Sequence, residues 1–230
     1  MEWKYTQENP LRVFEAFAGY GSQSLALKYL GIPHKVVGIS EIEPTAIKAY
    51  MALHGETMNY GDISKVDWAQ VPDFDLLTWS SPCQDFSNAG LQRGGEEGSG
   101  TRSSLLWEVK KCIEAKRPKY LLTENVKALV SDKFRSGFLK FCEYLETMGY
   151  ISFRQVINAK DCGIPQNRER IFVVSILDGD WYNFPQPQEL KLKLKDLLEE
   201  KVDEKYYLDD KKVAEFIGGL EKDKIRKICE

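Results

Sequence analysis

The sequence predicts an α/β protein built on a mostly parallel sheet with an antiparallel edge strand, and three observations carry that prediction. From Val13 onward, short β-rich runs alternate with amphipathic helical segments, the pattern of a parallel sheet covered on both faces. The last two β-rich runs, ISFRQVINA and RIFVVSIL, have no helix between them, which implies an antiparallel pair at one edge. The length of 230 residues suits one large domain with an appended piece and is enough to bury a sizeable core.

Taken in order, RVFEAFA reads as the first strand and SQSLALKYLG as its helix, with Ser22 as N-cap and Gly31 as the C-terminal stop. KVVGIS reads as the second strand and PTAIKAYMALHG as the second helix, with Pro44 at its start. A third strand segment ends at G61-D62-I63. FDLLTW is a further strand, and SSLLWEVKKCIEAKR a helix with Leu105, Val109, Cys112 and Ile113 near one face. YLLTEN and FLKFCEYLETMG supply a strand and a helix before the final pair. Two long loops remain, DFSNAGLQRGGEEGSGT and AKDCGIPQNRE; the first, rich in glycine and charge, is expected to be mobile. From Glu189 the composition shifts to dense alternating charge, so the chain divides into a main domain over residues 1–188 and a charged helical extension or linker over 189–230.

A net charge of −3 gives no overall basic field, so any nucleic-acid contact must use a local patch or a partner. The five cysteines are odd in number and include no C-x-x-C pair, which suggests neither a disulfide framework nor a metal site. The opening residues lack a signal-peptide core and no stretch approaches a membrane span, so a soluble, cytoplasmic protein is expected.

Chemistry is expected where strands run out into loops at the carboxyl edge of the sheet. Cys83, in SSPCQDFS, follows a proline just as the chain leaves a strand, and is a candidate nucleophile or a small apolar filler. The turn F17-A18-G19-Y20-G21-S22 lies between a strand and a helix, and its two glycines permit close approach of a ligand. A dinucleotide site would want a third glycine, and that position is Ser24. Glu41, about twenty residues on, stands where an acid can accept from both hydroxyls of a ribose. An adenosine cofactor without a pyrophosphate satisfies both features, with S-adenosylmethionine the obvious candidate. Asp62 could take the adenine amino group and Ile63 flank its ring; equally, Glu41 and Asp62 could be turn and capping acids.

FAGYGS, EIEP, GDIS, SPCQDFS, ENVKAL and GIPQNRERIFVV, in this order over roughly Val13 to Leu208, resemble the successive motifs of the cytosine-C5 DNA methyltransferase family. The resemblance implies a Rossmann-like S-adenosylmethionine-dependent methyltransferase fold. It implies that Cys83 adds to C6 of a flipped-out cytosine, that Glu124, protonated and favoured in that form by burial, donates to N3, and that Arg170 binds O2. Arg168 would reach the target phosphate and brace the cysteine loop, which Gln84 and Gln166 tie down. On the cofactor side it implies Phe17 against the adenine or sulfonium, Gly19, Tyr20, Gly21 and Ser22 around the methionine portion, and Glu41 on the ribose. Ile42, Asp62 and Ile63 would meet the adenine, with Pro82 and Leu105 at the methyl end, and the loop from Asp85 to Thr101 would close over the flipped base.

After KYYL the family's recognition region and its R-x-L and G-N-S segments are not found in this sequence. The resemblance therefore implies double-stranded DNA as substrate and, as one part of a split or truncated enzyme, a second chain or a continuation of this one bearing the missing parts, in a bacterial or phage restriction-modification setting without metal. A tRNA-directed enzyme and a non-catalytic cofactor-binding subunit are the alternatives. Ser81, where many members carry phenylalanine, is expected to act through its backbone carbonyl.

Overall fold

The order of the strands follows from which of them can be buried on both faces. The computed structural model describes residues 4–81, 107–179 and 181–218. The chain divides into two compact units, residues 1–190 and 191–230. In the first unit lie β1 (Leu11–Ala16), α1 (Ser22–Tyr29), β2 (His34–Ser40), α2 (Pro44–His54), β3 (Leu76–Trp79), α3 (Val109–Lys116), β4 (Tyr120–Val126), α4 (Arg135–Thr147), β5 (Tyr150–Asn158) and β6 (Glu169–Leu177). The strands form a six-stranded sheet in the order β2-β1-β3-β4-β6-β5. β1 to β4 pair in parallel, and β6 runs antiparallel to both neighbours, β4 and β5. The strand that runs against the others is thus one place in from the edge, which β5 holds.

β1 is buried throughout except Arg12, as a central parallel strand with helices on both faces must be. β2, at the opposite edge, is fully buried only over its last three residues. The helices cover the sheet with narrow apolar faces: Val109, Cys112 and Ile113 on α3, and Phe138, Phe141, Cys142 and Leu145 on α4, are buried at helical spacing. The main core joins Phe14, Leu77, Trp79 and Leu121 from the strands to Ile113, Phe141 and Leu145 from these helices.

Three local features differ from the sequence-based expectation. Ser22 is the first helical residue and not the cap; Gly21 caps α1 with φ +77°, and the Ser22 hydroxyl donates to Gln23 Oε1 at 2.9 Å. A left-handed backbone at the cap position requires the glycine there. The strand expected before Gly61 is a single bridge, Ile39 to Asn59. α3 is shorter than expected, with Trp107 and Glu108 forming a turn before it. Gly31 (φ +65°) and Pro44 occupy the expected positions after α1 and at the start of α2.

In the second unit, two short 3-10 turns at Leu194–Leu197 and Glu204–Tyr206 precede α5 (Asp210–Gly218). Leu194, Leu197, Leu198, Tyr206 and Tyr207 are all more than half exposed. No helix among the described residues is long and apolar enough to cross a membrane.

Candidate active site

Parallel pairing places the carboxyl ends of β1, β2, β3 and β4 along one edge of the sheet, and the reversed direction of β6 brings its amino end to the same edge. Every described residue assigned to the site by sequence lies along this edge or in the loops leading from it. Pro82, Cys83, Gln84, Leu105 and the loop from Asp85 to Thr101 lie outside the described residues.

At the end of β1 the chain turns through Phe17 (φ +52°), Gly19 (φ +57°) and Gly21 (φ +77°). A phenylalanine in the left-handed region is costly, and such strain persists only where the surroundings impose it. Phe17 packs against the main core, whereas Tyr20 is 53% exposed. The two glycines serve different needs. A Cβ at Gly21 would lie 2.5 Å from His54 Nε2 and 2.6 Å from the Tyr50 ring, so this glycine lets α2 approach the turn. A Cβ at Gly19 would meet nothing within 4 Å, so this is the open position, with room for a ligand.

Glu41 follows β2, and its carboxylate accepts three backbone N–H groups: Gly19 on Oε2 at 2.8 Å, and Ile42 and Glu43 on Oε1 at 2.8 and 2.9 Å. A carboxylate offers about four lone-pair sites, so one remains, on Oε2, beside the open position at Gly19. Ile42 stands 69% exposed next to it. Asp62 caps the next turn, accepting from the Ser64 hydroxyl at 2.8 Å and the Ser64 N–H at 3.0 Å on the same oxygen. These Ser64 bonds hold its carboxyl below the usual aspartate range. Its second oxygen lies 3.5 Å from Lys65 Nζ. Ile63 is 4% exposed and built into the main core.

On the other side of the edge, Ser80 and Ser81 lead from β3 toward Pro82. Gln23 of α1 donates to Ser80 Oγ at 3.2 Å, and the buried Asn125 of β4 donates to both the carbonyl and the hydroxyl of Ser81, each at 3.2 Å. The serine thus adds a side-chain contact to the backbone contact expected of it. One residue earlier on β4, Glu124 Oε1 lies 2.9 Å from Arg170 Nε on β6, with both side chains just over one-fifth exposed. Burial of Glu124, which would favour its protonated form, is partial here, and the carboxyl faces the Arg170 guanidinium. Arg168 and Gln166 are exposed just before β6, and the backbone N–H of Arg168 donates to Asn158 Oδ1 at 3.0 Å.

Sequence reasoning missed four supporting residues. Asn125 sits on the buried face of β4, where an amide must be hydrogen-bonded, and that alternation was the signal. Glu15, 1% exposed in β1, accepts from the Ser24 N–H and from the Tyr50 hydroxyl at 2.5 Å, fastening α1 and α2 to the strand beneath the glycine turn. Burial, with the Glu15 charge and hydrogen bond, pushes the Tyr50 hydroxyl well up. His54 Nε2 lies 3.0 Å from the Tyr20 carbonyl. Asn59 pairs with the backbone of Glu41.

This edge and strand order define a mixed α/β fold on a six-stranded, mostly parallel sheet. The S. pombe Dnmt2 methyltransferase shares the fold (TM-score 0.69, 24% identity, 91% of this chain and 66% of that one). So does the Entamoeba histolytica methyltransferase EhMeth (TM-score 0.71, 21% identity, 86% of this chain and 63% of that one). The family description C-5 cytosine-specific DNA methylase matches residues 11–223. Type II methyltransferase M2.ScrFI of Lactococcus lactis subsp. cremoris is 44% identical over 89% of this chain and 72% of its own length. Orphan methyltransferase M.Rho11sI of Bacillus phage rho11s is 34% identical over 93% of this chain and 48% of its own length. The chain belongs to the C-5 cytosine-specific DNA methylase family. It spans about half the length of the phage relative.

Proposed function

We propose that this chain carries the catalytic and cofactor-binding machinery of an enzyme that methylates carbon 5 of cytosine in double-stranded DNA, as the modifying half of a restriction-modification pair. The observation that carries the reading is the Glu124–Arg170 pair, 2.9 Å apart at the carboxyl edge beside Ser81, two residues before Cys83. S-adenosylmethionine fits the other half of the edge. The open position at Gly19 admits a ligand, Glu41 keeps a free acceptor site there, and the exposed Ile42 offers an apolar flank. When bound, this cofactor supplies an electrophilic methyl group.

The chain's own residues then have defined tasks. Carbon 5 of cytosine is a poor nucleophile, so the Cys83 thiolate adds to C6 of a base flipped out of the duplex. The C5–C6 electron pair moves toward C5 as Glu124, in its protonated form, gives its proton to N3. Arg170 donates to O2 and withdraws charge from the ring. Once C5 carries the methyl group, loss of its proton to water, departure of the thiolate from C6 and return of the N3 proton to Glu124 would restore the aromatic base. Arg168 serves the target phosphate. Target choice is assigned to further polypeptide, on a second chain or in continuation, because M2.ScrFI and M.Rho11sI extend well beyond the region matched.

The test is covalent trapping. A duplex containing 5-fluorocytosine, with S-adenosylmethionine and the polypeptide that completes the enzyme, should give a denaturation-resistant adduct that is lost in Cys83→Ser. An adduct undiminished in that variant overturns the assignment. An adduct with fluorocytosine RNA and none with DNA would move the substrate to RNA.

A further inference from the structure

We propose that Asn59 is a positioning residue for Glu41, holding the backbone from which its carboxylate is aimed, an inference that rests on Glu41 being the ribose acid. β2 is an edge strand, and its pairing with β1 ends at Ser40 opposite Ala16. Glu41, one residue further, is left beyond the ladder. Among the described residues, the outer side of β2 is paired through the Ile39–Asn59 bridge, held by Ile39 N–H to the Met58 carbonyl at 2.9 Å and Tyr60 N–H to the Ile39 carbonyl at 2.8 Å. The Asn59 side chain extends that pairing. Its Oδ1 accepts from the Glu41 N–H at 3.1 Å and its Nδ2 donates to the Glu41 carbonyl at 3.0 Å, so one amide group acts as the missing strand partner.

The same Oδ1 also accepts from the Gly61 N–H at 3.0 Å, and Ser40 Oγ donates to the Gly61 carbonyl at 2.6 Å. Asn59 therefore fixes the backbone of Glu41 and, through Gly61, the turn that presents Asp62. Donor and acceptor must come from one planar group for this; aspartate lacks the donor, and alanine lacks both. The carboxylate of Glu41 is fixed separately by Gly19, Ile42 and Glu43. Removing Asn59 leaves those donors present but frees the Glu41 backbone, so the carboxylate is no longer held in one place relative to them.

The test is a double-mutant cycle on S-adenosylhomocysteine binding, read by ligand-observed NMR so that weak affinities remain measurable. Asn59→Ala and Asn59→Asp should each weaken binding roughly tenfold in the wild-type background. In a Glu41→Ala background the same changes should cost less than about twofold, which a merely structural role would not produce. Thermal unfolding of each variant establishes that it is folded. Asn59→Asp keeps the acceptor for Gly61 but sets an oxygen against the Glu41 carbonyl, so it separates the role toward Glu41 from that toward the turn. Unchanged affinity in both Asn59 variants, or an equal loss with and without Glu41, overturns the proposal. If Glu41→Ala alone leaves affinity unchanged, the ribose assignment fails instead.

Discussion

Glu124 and Arg170 sit on strands that run in opposite directions, yet their side chains meet at 2.9 Å. The register explains it: Arg170 lies opposite Val126, two residues beyond Glu124, and diagonal neighbours on one sheet face are within reach of a long side chain. Arg170 Nη1 also donates to the Glu169 carbonyl at 2.8 Å, which holds the guanidinium at two nitrogens. An ion-paired carboxylate only accepts hydrogen bonds. On the proposed chemistry, Arg170 must therefore turn from Glu124 toward the cytosine O2 as Glu124 engages N3, so the two residues act as a unit.

Glu124→Gln should cost only about 1 kcal/mol of stability, because glutamine keeps the shape and a neutral hydrogen bond to Arg170. It should slow formation of the fluorocytosine adduct by about 100-fold or more, because the amide cannot give up a proton to N3. Arg170→Lys should lose nearly as much, since a single ammonium cannot replace a planar fork. Adduct yield against time, with urea unfolding in parallel, measures both. A Glu124→Gln variant that traps DNA at the wild-type rate would remove Glu124 from proton transfer.

The two glycines of the first turn should respond differently to alanine. Gly21→Ala combines a left-handed backbone with contacts of 2.5 and 2.6 Å to His54 and Tyr50, and should destabilise the protein by about 2 to 4 kcal/mol. Gly19→Ala carries the backbone strain without a clash and should cost about 1 to 2 kcal/mol, while lowering affinity for S-adenosylhomocysteine by filling the open position. Urea unfolding and ligand titration separate the two. Equal destabilisation would show that α2 gives way around Gly21.

Apolar runs were enough to read the central strands β1 and β3, which are buried nearly throughout, and the lack of a helix between the last two runs marked the antiparallel pair, whereas the strand expected before Gly61 is a single bridge. The residues proposed for the site were legible in two ways: Glu41 from its place about twenty residues after the glycine turn, and Glu124 and Arg170 only through the resemblance of ENVKAL and GIPQNRERIFVV to the family's motifs. What escaped was the supporting layer. Glu15 lies inside a strand, and only the fold reveals that Ser24 and Tyr50 surround it. Asn59 looks like one polar residue among several, since its partner Glu41 is eighteen positions away in sequence. Ser22 was misread as a cap because a positive φ at Gly21 leaves no trace in the residue that follows it.

At the opposite edge of the sheet, Asp75 accepts from the backbone N–H, Nε and Nη2 of Arg12, at 3.1, 3.0 and 3.0 Å, joining β1 to the start of β3. Burial raises the Asp75 carboxyl, but the Arg12 hydrogen bonds and charge outweigh it, and the net direction is down. A carboxyl lowered on folding contributes stability that is full above its ordinary value of 3.8 and is lost as pH falls through the lower folded value. Wild type should therefore lose stability below about pH 4 more steeply than Asp75→Asn, which itself should be about 1 to 2 kcal/mol less stable at pH 7. Urea midpoints between pH 3 and pH 7 check it; parallel acid profiles would show that the pair contributes nothing.

The final prediction concerns which thiols can react, on which the trapping experiment depends. The thiolate is the nucleophile, so reactivity requires both exposure and ionisation. Cys112 on α3 is wholly buried, and burial pushes its thiol far up despite the opposing charge of Lys116. Cys142 on α4 is 3% exposed and is raised chiefly by burial, with Arg154 pulling the other way. Cys162, in the turn after β5, is exposed. Of these three, Cys162 should be alkylated by iodoacetamide within minutes at pH 8, while Cys112 and Cys142 should react only after unfolding, as read by mass-spectrometric peptide mapping. Neither core thiol can then stand in for Cys83, and Cys162→Ser should leave the adduct intact. Rapid labelling of Cys112 or Cys142 in the native protein would mean that the α3 and α4 core opens in solution, and loss of the adduct in Cys83→Ser would then need the doubly substituted controls before it identified the nucleophile.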